Sequence, residues 1–525
     1  MHHLQRAAIV VGLLAAAVVG GTAAPVVHAA PPAPATLHWR VETLPPPPGG
    51  APFSSAEPGL AIGPDGTAIV DAASANSGAP PTFWILHQGR GAWDRGRDVD
   101  STGASTGDAD VAAGADGFLY ALNLGYNPNP PGQPANPTVM VYRSRDGRSW
   151  LGPASFPIPH GLDQPDRPWL IVDPHHPSTV DVVNSEGGGN VVIWRSADHG
   201  ASFAGPYPVS GGANSQAALA LGSRPLFDPI QDGRIFMLYE TAAPAGVLAA
   251  AMAGTPVYEF PMTQLWLAMS TDSGLTWNNR LVLDTTTLPA PRQGATLAHL
   301  LVASAIDPAG TLYAAVSLRD PGATQTELDL VHSVDHGATW SPPVHVDAPT
   351  ASNLMPALVV SPDGVLYLSW YGSAATDFRA ASATWVEMFA EMREPLAPHP
   401  QVAVGRVSGD TPVHVGGIDT AGTVGSDLGA NWGLRDLQSI AVDRSGSPHP
   451  VWADDNGTQA TQTGVLQSGD DAVPPARPST PAELPDTARP GGSAGVLVVL
   501  LGAAFIGTRQ RRRRVDDGRK APDAP

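Results

Sequence analysis

Aspartate, serine and glycine recur along the chain in one order, Ser-x-Asp-x-Gly-x-Thr/Ser, closed by Trp or Phe. Asp and Ser side chains can bond the backbone of their own turn, and Gly allows the positive φ of a tight hairpin. The closing aromatic residue can pack against the neighbouring strand. This spacing therefore favours hydrogen bonding within a turn. The copies are SRDGRSW (Ser144–Trp150, one residue shorter), SADHGASF (Ser196–Phe203), STDSGLTW (Ser270–Trp277) and SVDHGATW (Ser333–Trp340).

A longer repeat must position these motifs. An apolar stretch runs into a Pro/Asp-Gly turn and a second apolar stretch, which is typical of paired β-strands. Together with two strands around each motif, it predicts a four-stranded antiparallel blade of a β-propeller. The early stretch Leu37–Glu42 is expected to pair with the last unit and close the ring, which would remove an exposed sheet edge. Seven units begin at Leu60, Val111, Leu170, Pro225, Val302, Ala357 and Ser439.

The short motif resembles the Asp box, or BNR repeat, of sialidases and related β-propellers. The resemblance covers residues 59–455, and its specific part is the scaffold. It implies an all-β fold with four-stranded antiparallel blades. The number of blades stays open, because sialidases have six and the chain contains seven units. In that family the boxes lie away from the active face, so a structural role is expected for Asp146, Asp198, Asp272 and Asp335.

The same resemblance implies a substrate-binding role for three arginines. Sialidases hold the sugar carboxylate with three arginines, since guanidinium is planar, bidentate and permanently charged. Arg167 precedes an inner strand, although Pro168 follows it without the intervening residue of the family's Arg-x-Pro segment. Arg435 stands in the equivalent place before unit seven, and Arg292 precedes unit five at a longer distance. The alternative is that these arginines pair with neighbouring acids.

A tyrosine nucleophile, its carboxylate partner and an aspartic acid/base complete the family's site. A tyrosine with a pKa near about 10 needs a neighbouring carboxylate to take its proton. The candidate nucleophiles are Tyr371 and Tyr239, and a packing role stays open for both. Glu186 or Glu240 could serve as the partner base, and Asp166 as the general acid. We predict no metal and no cofactor, and we assign the pair His175-His176 to a Pro-flanked turn.

The two ends of the chain carry targeting signals. A basic start, an apolar run and small residues before the predicted cleavage site are typical of a secretory signal. Near the other end, LPDTA with Thr487, an apolar run and arginines resemble the sorting signal of sortase substrates, in its LPxTA form. A simple membrane anchor is the alternative. The predicted segments are a signal peptide at 1–29, the propeller at 37–468, a Pro-rich stalk with the sorting motif at 469–488, a transmembrane segment at 491–508 and a basic cytoplasmic tail at 509–525.

Composition excludes several classes of function. The chain has no cysteine, so disulfides, thiolate metal sites and cysteine nucleophiles are ruled out. Its net charge of −19 makes a nucleic-acid partner unfavourable.

The sequence thus predicts an exported propeller, anchored to cell wall or membrane, that acts on a glycan or another surface ligand. Two functions stay open, as does the question of whether the protein is an enzyme. One is exo-α-sialidase activity, the hydrolysis of terminal sialic acid. The other is non-catalytic binding of glycan or protein, as an adhesin or scaffold.

Overall fold

The computed structural model describes residues 38–466, with gaps at 47–54, 75–81, 88–91, 96–104, 128–135, 158–162, 188–189, 210–221, 243–261, 299–300, 398–399, 419–433, 436 and 457–459. These residues form thirty β-strands and one turn of 3₁₀ helix at Thr285–Thr287. Among them, no helix is long and apolar enough to cross a membrane. The predicted signal peptide, stalk, apolar span, tail and Thr487 lie outside the described residues.

The strands group into seven antiparallel sheets, which confirms the propeller and its seven-bladed form. The first strand is β1 (Trp39–Thr43), which belongs to the last sheet. Blade 1 contains β2 (Ser55–Ile62), β3 (Ala68–Ser74), β4 (Thr82–Leu86) and β5 (Asp94–Arg95). Blade 2 contains β6 (Ser105–Ala113), β7 (Leu119–Asn127), β8 (Asn136–Ser144) and β9 (Trp150–Pro157). Blade 3 contains β10 (Asp163–Val172), β11 (Val180–Gly187), β12 (Asn190–Ser196) and β13 (Ala204–Pro208).

The remaining blades follow the same order, and two of them have a fifth short strand. Blade 4 contains β14 (Leu226–Phe227), β15 (Ile235–Ala242), β16 (Met262–Ser270) and β17 (Asn278–Asp284). Blade 5 contains β18 (Thr296–Leu297), β19 (Ala303–Ile306), β20 (Leu312–Arg319), β21 (Glu327–Ser333) and β22 (Val344–His345). Blade 6 contains β23 (Ser352–Val360), β24 (Leu366–Ser373), β25 (Thr384–Arg393), β26 (Gln401–Arg406) and β27 (His414–Val415). Blade 7 contains β28 (Ser439–Val442), β29 (Pro448–Asp454) and β30 (Ala460–Leu466), followed by β1.

The core lies between the blades. The described buried apolar residues form seven clusters, each shared by neighbouring blades around the ring. Inner strands meet near the axis, where β6 contacts both β2 and β10, and β2 also contacts β28. Since each strand pair carries apolar residues on both faces, one blade alone cannot bury them. The ring as a whole provides that burial.

Strand β1 closes the ring as the sequence predicts. It pairs antiparallel with β30, from Trp39 opposite Leu466 to Thr43 opposite Gln462. The Trp39 ring packs edge-on against Phe389 of blade 6, with centroids 4.6 Å apart. The N-terminal end of the propeller thereby covers the outer edge of its C-terminal blade.

The Asp boxes form the hairpins that lead into the last strand of blades 2 to 5. In blade 5, the Ser333 hydroxyl donates to Asp335 Oδ1 at 2.8 Å and accepts from the Gly337 amide at 2.8 Å. Thr339 donates its amide to Asp335 Oδ1 at 2.8 Å and its hydroxyl to Oδ2 at 2.6 Å. Asp146, Asp198 and Asp272 accept equivalent bonds from their own turns.

Replacing Asp335 by Ala is expected to lower the free energy of unfolding at pH 6 by up to about 1 kcal/mol, since the hydrogen bonds that are lost belong to a carboxylate exposed to water, which screens its charge. The bonds from Thr339 and Ser333 lower the pKa of Asp335 to about 2. A lowered pKa in the folded state stabilises it above the unfolded pKa, and this contribution disappears as the pH falls from about 4 to about 2. Thermal unfolding between pH 2 and 6 should therefore show a smaller acid-dependent decrease in the variant.

The matched control is Asp410→Ala, because the Asp410 side chain is fully exposed and, among the described residues, forms an ion pair with Arg406 alone. Its unfolding profile should follow that of the wild type. Equal profiles for the wild type and Asp335→Ala would contradict a stabilising role for the box carboxylate.

Candidate functional site at the propeller axis

Polar residues occupy matching places on the first strands of blades 1, 2 and 3. Each of these strands has a polar residue six positions before the residue that opens the following turn. These residues are Glu57, Asp108 and Arg167. All three strands have an irregular register in this region, and in β2 the irregularity falls between Ala56 and Gly59. The backbone of Glu57 there has a φ of 51°. Such bulges re-aim a side chain, so this end of the inner strands can present polar groups near the axis.

Arg435 bridges two of these acids. It lies just before the first strand of blade 7, and its backbone has a φ of 55°. Its Nη1 atom is 3.6 Å from Glu57 Oε2 and 3.5 Å from Asp108 Oδ1. The three side chains are 9%, 4% and 16% exposed, respectively. One guanidinium thus spans blades 7, 1 and 2, in an environment where an unpaired charge would be costly.

Arg224 of blade 4 reaches the same strand of blade 2 from the other side. Its Nη2 atom contacts Asp110 Oδ1, and its Nη1 donates to the carbonyl of Leu170 at 3.3 Å. Asp110 Oδ2 accepts from the Leu170 amide at 2.7 Å. The ring of Trp169 lies 5.3 Å from the Arg224 guanidinium carbon, and its indole donates to the Gly222 carbonyl at 2.8 Å. These contacts join blades 2, 3 and 4.

Two buried carboxyl groups approach the backbone of Gly59. A Cβ atom at this position would lie 2.2 Å from Asp71 Oδ1 and 3.2 Å from Asp110 Oδ1. Both aspartates are completely buried. A side chain here would clash with Asp71 in its present position, so the close approach of these carboxyl groups to the backbone favours glycine.

We call this group the axial site. Its four carboxyl groups outnumber its two guanidinium groups among the described residues. The charged members with the most solvent access are Arg224, 31% exposed, and Asp108, 16% exposed, and these can offer a donor and an acceptor to a ligand. The more deeply buried members hold them in place, and acceptors are in excess. Next to it, an open cavity of about 320 Å³ is lined by first strands of blades 1 to 4 and by Arg224. The axial site comprises Glu57, Asp71, Asp108, Asp110, Trp169, Arg224 and Arg435.

Tyr371 lies in the second strand of blade 6. It is completely buried, and its hydroxyl donates to the Ala453 carbonyl at 3.3 Å and accepts from the Ala453 amide at 3.0 Å. The residue opposite it in β25 is Glu387, also completely buried. Burial, and then the neighbouring Glu387, raise the pKa of Tyr371 well above 10. A hydroxyl held between blades in this way lacks the access to solvent that a nucleophile needs.

Arg292 is paired with acids of blade 5. Its Nη2 atom is 2.5 Å from Asp329 and 2.8 Å from Glu327, and both acids lie in β21 of blade 5. Its Nε atom is 3.5 Å from Asp320. The structure therefore gives Arg292 the acid-pairing environment that the sequence left open, and Arg224 takes a place near the axis instead.

The other three predicted residues are placed by their backbone alone. Asp166 and Arg167 lie in β10, where Asp166 is opposite Ser185. Glu186 lies near the end of the adjacent strand β11, opposite Asn190. Their side chains lie outside the described part of the chain, so their catalytic and substrate-binding roles stay predictions.

No family profile and no curated protein matches the chain. Three solved structures illustrate what its fold is similar to. A protein of unknown function from Dyadobacter fermentans is 14% identical with a TM-score of 0.43, covering 81% of this chain and 97% of its own. The intramolecular trans-sialidase of Ruminococcus gnavus is 12% identical with a TM-score of 0.39, covering 79% and 96%. The BP39L lectin of Burkholderia pseudomallei is 14% identical with a TM-score of 0.46, covering 77% and 97%. These similarities are too weak to indicate what this chain binds or catalyses.

Proposed function

We propose that the protein is a glycan-binding propeller whose axial site takes a neutral sugar, without hydrolysing it. The observation that carries this proposal is the arrangement of Arg435 between Glu57 and Asp108. Sugar hydroxyls both donate and accept hydrogen bonds, so adjacent carboxylates and guanidinium groups suit a pair of neighbouring hydroxyls. Trp169 adds an aromatic surface beside these polar groups, which fits the mixed apolar and polar lining of ligand sites.

Charge favours a neutral ligand over sialic acid. A sialic acid carboxylate needs arginines that are available to it, whereas Arg435 and Arg224 already face carboxyl groups of blades 1 and 2. An additional anion would meet like charge in the axial site, and like-charge contact disfavours a ligand strongly. The alternative of exo-α-sialidase activity also needs an accessible tyrosine, and Tyr371 is buried. Of the two functions predicted from sequence, non-catalytic binding is therefore better supported.

A glycan array probed with the purified full-length chain tests this proposal, together with a fluorogenic sialoside assay on the same preparation. We expect binding to glycans with neutral terminal sugars and no release of fluorophore above the buffer rate. Selective retention on sialylated glycans, or turnover of the sialoside, would contradict the proposal. Turnover would instead favour the enzymatic alternative.

A further inference from the structure

Three metal-binding side chains converge at the other end of the inner strands, in the turns of blades 3 and 4. Asp173 and His176 belong to the turn between β10 and β11, and Asp232 belongs to the turn before β15. His176 Nδ1 is 3.5 Å from Asp173 Oδ2 and 3.2 Å from Asp232 Oδ1. One ligand atom of each residue lies within 4.8 Å of the other two. The sequence assigned His176 only to a turn, because Asp232 is distant along the chain.

These distances fit ligands around a metal better than direct ion pairs. Hydrogen bonds between a charged nitrogen and a carboxylate are usually about 2.7–2.9 Å long. Zinc binds nitrogen and oxygen at about 2.0–2.2 Å in a tetrahedron, which places neighbouring ligand atoms about 3.3 Å apart. The two measured separations lie on either side of that value. Moreover, one ring nitrogen carries at most one proton, so it cannot donate a full hydrogen bond to both carboxylates.

The turn of blade 3 holds its ligand atoms in place. Asp173 Oδ1 accepts from the amides of His175 and His176 at 2.8 and 3.2 Å, which leaves Oδ2 directed toward His176 Nδ1. The Asp173 side chain is only 4% exposed. His175 Nε2 donates to the Asp228 carbonyl of blade 4 at 2.9 Å. Outer bonds of this kind orient metal ligands, so the turn is organised before a cation binds.

The negative charge of this cluster is not neutralised by a direct ion pair with an arginine. Arg195 interacts electrostatically with Asp173, but its guanidinium is paired with Asp181. Within the described residues, neither Asp173 nor Asp232 has a guanidinium within ion-pair distance. A second His–carboxylate cluster shows the contrast, since His345 lies 3.6 Å from Asp329 but Arg292 is already 2.5 Å from that carboxylate. A cation is therefore favoured at the first cluster and not at the second.

We propose that Asp173, His176 and Asp232 bind one divalent transition metal of the zinc class. The nitrogen ligand favours zinc over calcium, which prefers six or more oxygen ligands. Three protein ligands leave one tetrahedral position for water. Because the ligands come from the turns of two blades, the metal would tie blade 3 to blade 4. This site is independent of the proposed glycan-binding function.

Titration calorimetry with zinc chloride on the full-length, chelator-treated chain tests the proposal. We expect one zinc-binding event in the wild type. The affinity for zinc should fall at least about tenfold in both His176→Ala and Asp232→Asn, since each variant removes a ligand. Both side chains are more than half exposed, so folding should be preserved. Zinc should also raise the melting temperature of the wild type and not that of either variant.

The matched control is His345→Ala, which removes the histidine of the arginine-paired cluster and should leave the event unchanged. Equal zinc affinity and stoichiometry in the wild type and His176→Ala would overturn the site. The absence of a binding event in the wild type would overturn it as well. Calcium bound more tightly than zinc would overturn the assignment of the metal.

Discussion

Replacing Arg435 by Met is expected to lower the free energy of unfolding by about 3–5 kcal/mol, the usual effect of breaking a buried ion pair. The variant would leave Glu57, which is 3% exposed, and Asp108 without the guanidinium that bridges them. Because these residues come from blades 7, 1 and 2, the ion pairs that are lost are those that join the blades where the ring closes. Urea unfolding followed by tryptophan fluorescence measures the change.

Two further variants separate lost charge pairing from lost packing. Combining Arg435→Met with Glu57→Gln removes one of the acids left behind, so it should restore part of the lost stability. Arg406→Met removes an exposed arginine that is 3.0 Å from the fully exposed Asp410. Exposed pairs contribute about 0–1 kcal/mol, so this control should change little. Equal losses in Arg435→Met and Arg406→Met would show that Arg435 is not a buried bridging group.

Deleting Trp39–Thr43 is expected to be similarly severe, with a loss of roughly 3–5 kcal/mol. The deletion removes the ladder to β30, whose hydrogen bonds contribute about 0.5–1.5 kcal/mol each. It also removes the Trp39–Phe389 contact and the bond from the Trp93 indole to Glu42. Strand β30 would become an exposed edge, and such edges promote pairing with other chains. Thermal unfolding and size-exclusion chromatography should show a lower melting temperature and self-association.

The control for this deletion is Arg40→Ala, on the same strand. The Arg40 side chain is 54% exposed and contributes no strand pairing. Its melting temperature should stay close to that of the wild type. A monomeric deletion variant that melts with the wild type would contradict the closing role of β1.

The architecture was predictable because its signals are local. Each Asp box is built from hydrogen bonds within one turn, as Ser333 and Asp335 illustrate. The apolar strand pairs repeat at every blade, so the seven units and the closing strand β1 could be inferred without knowing how blades meet. The same local character made the boxes uninformative about ligand binding, since their polar groups are used within the turn.

The axial site was only partly predictable because it depends on contacts between distant segments. The sequence indicates Arg435, but its partners Glu57 and Asp108 lie more than three hundred residues away and become neighbours only when the ring closes. Arg224 has no such signal, because it precedes an ordinary apolar strand. Aligning the inner strands on their turns would have shown Glu57, Asp108 and Arg167 as polar residues at one repeated position.

Titration calorimetry with a neutral glycan retained on the array most directly tests the claim that the axial site binds sugar. We expect Asp108→Asn, which keeps the shape of the side chain but removes its charge, to weaken binding about 10- to 100-fold, as expected for a hydrogen bond to a charged group. Asp410→Asn, at an exposed site of blade 6, should bind like the wild type. Unchanged affinity in a folded Asp108→Asn variant would contradict the account.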